Sequence, residues 1–153
     1  MSGQHRWVPW TITATAYAGF VVSAYLTIVH CRGYVSPCYV VSGCEEVQTS
    51  EYSVILGVPV ALAGALFFGL MFYLGIGLLT SSSVTLTRVF KVLAFIGALA
   101  IIPLFLLQAI VLKAFCTYCV ATEVLMLAIW IVSFLLAAPG RSGEPLEAGA
   151  SST

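Results

Sequence analysis

The chain is 153 residues long, 61% hydrophobic and 8% charged, with six basic and six acidic side chains that cancel. Soluble domains carry roughly a quarter of their residues charged, so a mean hydropathy of +1.07 excludes a water-soluble globule and indicates an integral membrane protein. The neutral balance offers no basic surface for nucleic acid and leaves the few charges informative only about topology.

Residues 1–9 read as a short N-terminal tail. Trp10 to Val29 is an apolar run long enough for a bilayer core of about 30 Å and too long for a signal-peptide core, with Trp7 and Trp10 as interfacial anchors at its start. His30 to Gly57 is the sizeable polar segment between spans, carrying Arg32, Glu45, Glu46 and Glu51 with the cysteines Cys38 and Cys44. Ser36-Pro37 and Ser42-Gly43 supply turn chemistry there. Val47, Val54 and Val58 recur at helical spacing, which predicts a short helix from Cys44 onward, lying on the membrane surface as a lid.

Val58 to Leu79 reads as the second span, with Pro59 in its first turn and Ala61, Ala65 and Gly69 repeating every four residues as a smooth packing face. Thr80-Ser81-Ser82-Ser83 is a polar connector whose last residue is a candidate N-cap. The third span runs from Val92 to Leu112, kinked at Pro103, with Gln108 at a depth where it needs a partner on another helix. Lys113-Ala114 forms nearly all of the next turn, making the third span and the fourth, Val120 to Ala138, antiparallel neighbours. From Pro139 the composition turns to small and polar residues, and 139–153 is expected to be disordered.

Four spans put both termini on one side, together with Arg6, Arg88, Lys91 and Arg141, against Arg32 and Lys113 opposite. The positive-inside bias makes the termini cytoplasmic and the paired cysteines extracytoplasmic, where disulfides persist. The predicted architecture is therefore an all-α, integral membrane, four-transmembrane-helix bundle over residues 10–138. An external loop, 30–57, contains a short surface helix, and cytoplasmic tails cover 1–9 and 139–153.

The chemistry centres on Phe115-Cys116-Thr117-Tyr118-Cys119, at the start of the fourth span. Thiols three positions apart on a helix lie on neighbouring turns of one face, so they can close a disulfide or present a thiolate together. A lone pair of this kind often packs as two small hydrophobes, but the second pair, Cys38-x5-Cys44, weighs toward redox chemistry. A disulfide relay needs one pair that meets a protein substrate and another fixed beside the final electron acceptor. The helix N-terminus, with Lys113 nearby, favours a thiolate and makes Cys116/Cys119 the reactive pair. Cys31 reads as a packed, unreactive thiol and His30 as a polar residue at headgroup level. The wide loop spacing argues against a zinc site, so no metal is expected.

Cys44-Glu45-Glu46-Val47-Gln48-Thr49-Ser50, Gly57-Val58-Pro59-Val60-Ala61 and Phe115-Cys116-x-x-Cys119, in that order, resemble the vitamin K epoxide reductase family, in particular its prokaryotic branch without a fused thioredoxin domain. The resemblance covers all four spans. It implies a four-helix bundle around a quinone pocket, with menaquinone, ubiquinone or a vitamin K type quinone as electron acceptor and a cell-membrane location. It also implies that Cys119 lies next to the quinone ring, and that Cys116 exchanges with the loop through Cys44. Cys38 and Cys44 would take electrons from a reduced thioredoxin-fold, DsbA-like partner. Ser50 matches a family serine or threonine near the pocket, which Phe115 would help support.

The chain departs from the animal members of the family at Glu123, where they carry a tyrosine, and this puts vitamin K epoxide as a substrate in doubt. Cys116, Cys119 and Glu123 stand at i, i+3 and i+7, so the carboxyl shares the cysteine face. Either it relays a proton or donates a hydrogen bond to the quinone, or it is held by Gln108 or a backbone carbonyl. The expected function is thiol oxidation coupled to quinone reduction in support of disulfide formation. The alternatives are reduction of a vitamin K quinone or epoxide for its own sake, and a non-enzymatic scaffold stapled by its disulfides.

Overall fold

The computed structural model describes residues 7–37, 43–81 and 83–136. Helix α1 (Trp7–Cys31) is followed by a loop carrying α2 (Cys44–Thr49), a 3-10 turn (Glu51–Ser53) and a two-stranded antiparallel hairpin, β1 (Val54–Ile55) and β2 (Val58–Pro59). Helices α3 (Val60–Thr80), α4 (Val84–Leu106) and α5 (Thr117–Ser133) complete the chain, and α4 runs on into a π-helical turn at Leu107–Leu112. α1, α3 and α4 are long and apolar enough to cross a membrane. At 17 residues, α5 stands at the lower limit for a span, which is about 17.

The long helices form a ring in which α1 packs on α3 and α5, and α4 packs on α5 and α3. Lipid tails are as apolar as the side chains, so packing here depends on close approach rather than on escape from water. Glycines provide it. A Cβ at Gly75 of α3 would lie 2.7 Å from Thr13 Oγ1 of α1, and one at Gly97 of α4 would lie 2.8 Å from the Phe67 ring of α3. Hydroxyls within the spans turn back on their own helices, as Thr13 does by donating to the Pro9 carbonyl at 2.8 Å.

The solid core joins Val8, Ile12 and Ala16 of α1 to Phe68 and Met71 of α3, Phe90 and Ala94 of α4, and Met126 and Ile129 of α5. Apart from Phe68, near the middle of α3, these positions lie in the half of each helix toward the end that carries Trp7. The other half of the bundle, toward the loop, is hollow.

Several boundaries differ from the sequence reading. The third span begins at Val84, not Val92, because Ser83 caps it by accepting the Leu86 amide and the helix runs straight through Arg88 and Lys91. Lys91 Nζ reaches the Leu136 carbonyl at 2.8 Å and so ties α4 to the end of α5. Pro59 precedes the first turn of α3 rather than occupying it. The chain leaves α geometry at the π turn, one turn beyond Pro103.

The loop helix stops at Thr49, so Val54 and Val58 are not on it. Ser50 is extended and its hydroxyl donates to the Val47 carbonyl at 2.8 Å. The β-branched residues beyond pair in the hairpin, around Leu56 and Gly57 in the left-handed region that a two-residue turn requires. The tails 1–6 and 137–153 lie outside the described residues, as does Cys38.

Candidate functional site

The site is built where the π turn of α4 hands over to α5. Lys113, left-handed at φ 50, ends the turn, and the amides of Lys113 and Ala114 both return to the Gln108 carbonyl. The Gln108 side chain is 3% exposed. Its Oε1 accepts from the Cys116 amide at 3.2 Å and its Nε2 donates to Glu123 Oε1 at 2.8 Å. A backbone N–H can only donate, so it fixes which way the glutamine amide faces and makes Glu123 Oε1 an acceptor. The contact joins α4 to α5, as Gln108 at membrane depth required.

Cys116 caps α5, its sulfur accepting from the Cys119 amide at 3.4 Å. It is fully buried, and the loop is what covers it. Gln48 of α2 accepts from the Ser36 amide through Oε1 at 3.1 Å and points Nε2 at the Cys116 sulfur, 4.0 Å away. Tyr118, beside the cysteine, donates its hydroxyl to the Pro37 carbonyl at 3.3 Å and stacks obliquely on Tyr25 of α1. Gly43 completes the seat, since a Cβ there would lie 2.7 Å from the Phe115 carbonyl oxygen.

Cys116 sits just outside the span, and its pKa lies below the ordinary thiol range. Hydrogen bonding from the Cys119 thiol is the main cause, with smaller help from the Cys119 and Tyr118 amides and from Gln48, against the opposing effect of burial. Lys113 does not contribute as its position in the sequence led us to expect, because it is exposed and absent from the groups acting on this sulfur.

Cys119 is hydrogen-bonded to Cys116 and also reaches the bundle interior. It borders a cavity of about 390 Å³ inside the hollow half of the bundle, within the range of small-molecule sites, which is roughly 300–1,000 Å³. Phe67, Phe68, Ile101 and Met126 give the cavity apolar walls, and Glu123, Gln48, Ser50 and Gln108 give it polar points near the cysteine. That is the composition a flat, apolar ring with carbonyl groups at its edge would require.

Of the residues singled out from the sequence, Cys116, Cys119, Glu123 and Ser50 gather at this mouth, and Cys44 is buried at the start of α2 and disulfide-bonded. Cys31, Cys116 and Cys119 are free thiols. Phe115 does not line the cavity: its ring packs on Phe105 and its backbone seats Gly43. Among the described residues no three histidine, cysteine or acidic side chains gather to hold a metal ion.

His30, read as a headgroup residue, lines the cavity, as does Tyr52. Gln48 and Tyr118 were not singled out at all. For Gln48 the available signal was its place one helical turn after Cys44.

A ring of apolar helices with two thiols at the mouth of an internal cavity defines an integral membrane protein built for redox chemistry. Residues 10–134 match the Vitamin K epoxide reductase family, and the chain belongs to that family. Membership makes it a membrane oxidoreductase. No curated protein matches the chain.

Proposed function

We propose that this protein is a membrane thiol oxidase that passes electrons from a thioredoxin-fold partner, through Cys38/Cys44 and then Cys116/Cys119, to a membrane quinone. The observation that carries the reading is the different surroundings of two neighbouring thiols: Cys119 borders the cavity, while Cys116 is buried beside Gln48 of the loop helix that Cys44 begins. A relay needs that division, because one sulfur must exchange with protein and the other must meet a ligand inside the membrane. The arrangement agrees with it, with Cys44 disulfide-bonded in the loop and Cys116 and Cys119 close together without a bond between them. A scaffold held by permanent staples would give no reason for two free thiols at a cavity mouth.

In this reading residues 10–138 are the working unit, with both termini cytoplasmic and the cysteine end of the bundle extracytoplasmic. A quinone bound in the cavity supplies the two-electron acceptor. Phe67, Phe68 and Met126 would flank its ring, with Ser50 and Glu123 at its polar edge. Cys44 attacks the Cys116–Cys119 disulfide at Cys116 and releases Cys119. Cys38 then closes on Cys44 and frees Cys116. Oxidation of the Cys116/Cys119 dithiol yields two electrons and two protons, which match those a quinone takes up. Glu123, 8% exposed and held on one oxygen by Gln108, is placed to hold one of those protons.

The test is purified protein in lipid with a ubiquinone or menaquinone analogue and a reduced thioredoxin-fold protein, following quinone absorbance. Wild type is expected to turn over and Cys119→Ala to stop. Quinone reduction that runs equally well with a small dithiol and ignores every protein dithiol would instead favour reduction of the quinone for its own sake. No turnover with any dithiol, and cysteines that never change state, would favour the scaffold.

A further inference from the structure

Four donors meet the sulfur of Cys116: the Cys119 thiol and the Cys119 and Tyr118 amides from α5, and Gln48 from the loop. The Cys119 amide belongs to the same helix and is present whatever the loop does. Gln48 Nε2 is on α2 and reaches the sulfur because the loop is seated on the mouth of the bundle.

The seating is well specified. Gly43 admits the Phe115 backbone where a Cβ would collide, and the Tyr118 hydroxyl holds the Pro37 carbonyl. The Ser36 amide, by donating to Gln48 Oε1, leaves only the NH2 end of that side chain for the thiol. Ser36 is itself 2% exposed, so this anchor is part of the packed interface and not a surface contact. A glutamine with its oxygen committed elsewhere cannot accept a proton from the thiol. It can only donate to it, and a donor toward sulfur favours the thiolate.

We propose that Gln48 is a positioning residue that makes Cys116 a better thiolate while the loop carrying Cys44 is docked, so that docking and reactivity are coupled. The inference rests on the relay reading above and assigns this loop residue a part in it. Two steps need the Cys116 thiolate. When Cys38 attacks the Cys44–Cys116 mixed disulfide, the Cys38–Cys44 bond forms, the Cys44–Cys116 bond breaks, and Cys116 leaves with the electron pair. When Cys116 and Cys119 are oxidised together, with the quinone as two-electron acceptor, Cys116 gives up its proton and closes on Cys119. In both steps the charge on Cys116 is buried and needs a donor other than water. Gln48 supplies it from the same short helix that brings Cys44, one turn away.

From α5 the Cys119 thiol and the Cys119 and Tyr118 amides act on Cys116, whose charge in turn acts on Glu123, while Glu45 and Glu46 of α2 are exposed. Gln48 is therefore the loop's own contribution. Its effect on the sulfur has the direction the geometry requires, lowering the thiol pKa.

The experiment is the pH dependence of Cys116 alkylation by iodoacetamide, followed by site-resolved mass spectrometry on fully reduced protein in lipid nanodiscs, with no quinone or partner added. Gln48→Met keeps the length and removes the donor. Gln48→Glu keeps the shape and replaces the donor with an acceptor.

The expected order of midpoints is wild type lowest, Gln48→Met about one pH unit higher and Gln48→Glu higher still. Coincident midpoints in all three proteins overturn the proposal. So does an equal shift in both variants, because that is what mere loosening of the loop would give. Failure of wild-type turnover would sink the relay reading and leave this measurement interpretable. Coincident midpoints alongside normal turnover would sink the role of Gln48 alone.

Discussion

Gln108 donates to Glu123 at 2.8 Å from the π turn of α4, across to the second turn of α5, and accepts from the Cys116 amide with its other end. One neutral side chain thus fixes the backbone of Cys116 and the carboxyl that borders the cavity. Both partners are buried, so neither can turn to water if the glutamine is lost. Gln108→Leu is expected to destabilise the protein by about 1–3 kcal/mol, the cost of leaving buried polar groups unmatched. Adding Glu123→Leu should recover part of that loss, because the orphaned carboxyl goes with it. Thermal unfolding in detergent of the two single variants and the double variant checks this, and strict additivity would show that the pair is not coupled.

Glu123→Gln separates the carboxyl's chemistry from its packing. The replacement amide keeps an oxygen to accept from Gln108, so the unfolding temperature should stay near that of wild type. It holds no transferable proton, and kcat for quinone reduction is expected to fall roughly a hundredfold with KM little changed, as for loss of a general acid. Unchanged kcat would leave Glu123 as a structural partner of Gln108, the other role its sequence position allowed.

The seat of the loop can be disturbed at one atom. Gly43 has a φ of −144, outside the left-handed region, so its need for glycine comes from its neighbours, chiefly the Phe115 backbone with the Ala114 methyl beside it. Gly43→Ala places a methyl 2.7 Å from the Phe115 oxygen, and backbone on both sides cannot yield cheaply. Exchange between Cys44 and Cys116 is expected to slow about tenfold or more, in line with the sensitivity of reactions to small misplacements. Trapping of the mixed disulfide in a Cys119→Ala background, timed by non-reducing electrophoresis, gives the rate.

Much of this was legible in the sequence, and the limits have physical causes. The apolar spans were visible because lipid demands long apolar runs, and Cys116 with Cys119 stood out because a second cysteine pair lies upstream in the loop. Helix ends were less visible. Val84 to Lys91 carries threonines and two basic residues, which lower its hydropathy without preventing helix, so the start of α4 was placed late. The hairpin hid because Val47, Val54 and Val58 fit a helical period by coincidence, whereas Gly57 marked a turn. Gln48 and Tyr118 could not be ranked, since their roles come from contacts with Cys116 and Pro37 far away in the chain.

Gly69, in the Ala61, Ala65 and Gly69 repeat, does pack toward α1, but Gly75 is held more tightly there. A Cβ at Gly69 would meet the Phe20 ring at 3.4 Å, ordinary contact, whereas one at Gly75 would lie 2.7 Å from Thr13 Oγ1 and 3.3 Å from its Cα. Gly75→Ala should therefore destabilise the bundle by about 1–3 kcal/mol through overpacking, and Gly69→Ala by much less. Paired thermal melts of the two variants make the comparison, and equal effects would mean the α1 and α3 faces adjust freely.

The lowered pKa of Cys116 has a largest cause that can be deleted. The Cys119 thiol hydrogen-bonds to this sulfur and lowers its pKa more than any other group, while burial works against it. Replacing Cys119 by alanine removes the thiol and keeps the amide that donates to Cys116 at 3.4 Å. The pKa of Cys116 should then rise toward the ordinary thiol value, so that the thiolate form appears at higher pH and the fraction present near neutrality falls. In alkylation profiles the midpoint for Cys116 should move upward in Cys119→Ala by more than in Gln48→Met, because the order of the causes puts the neighbouring thiol first and the glutamine last. A midpoint that stays in place would mean that the amides of the first turn of α5 hold the thiolate by themselves, as expected of a helix N-terminus acting alone.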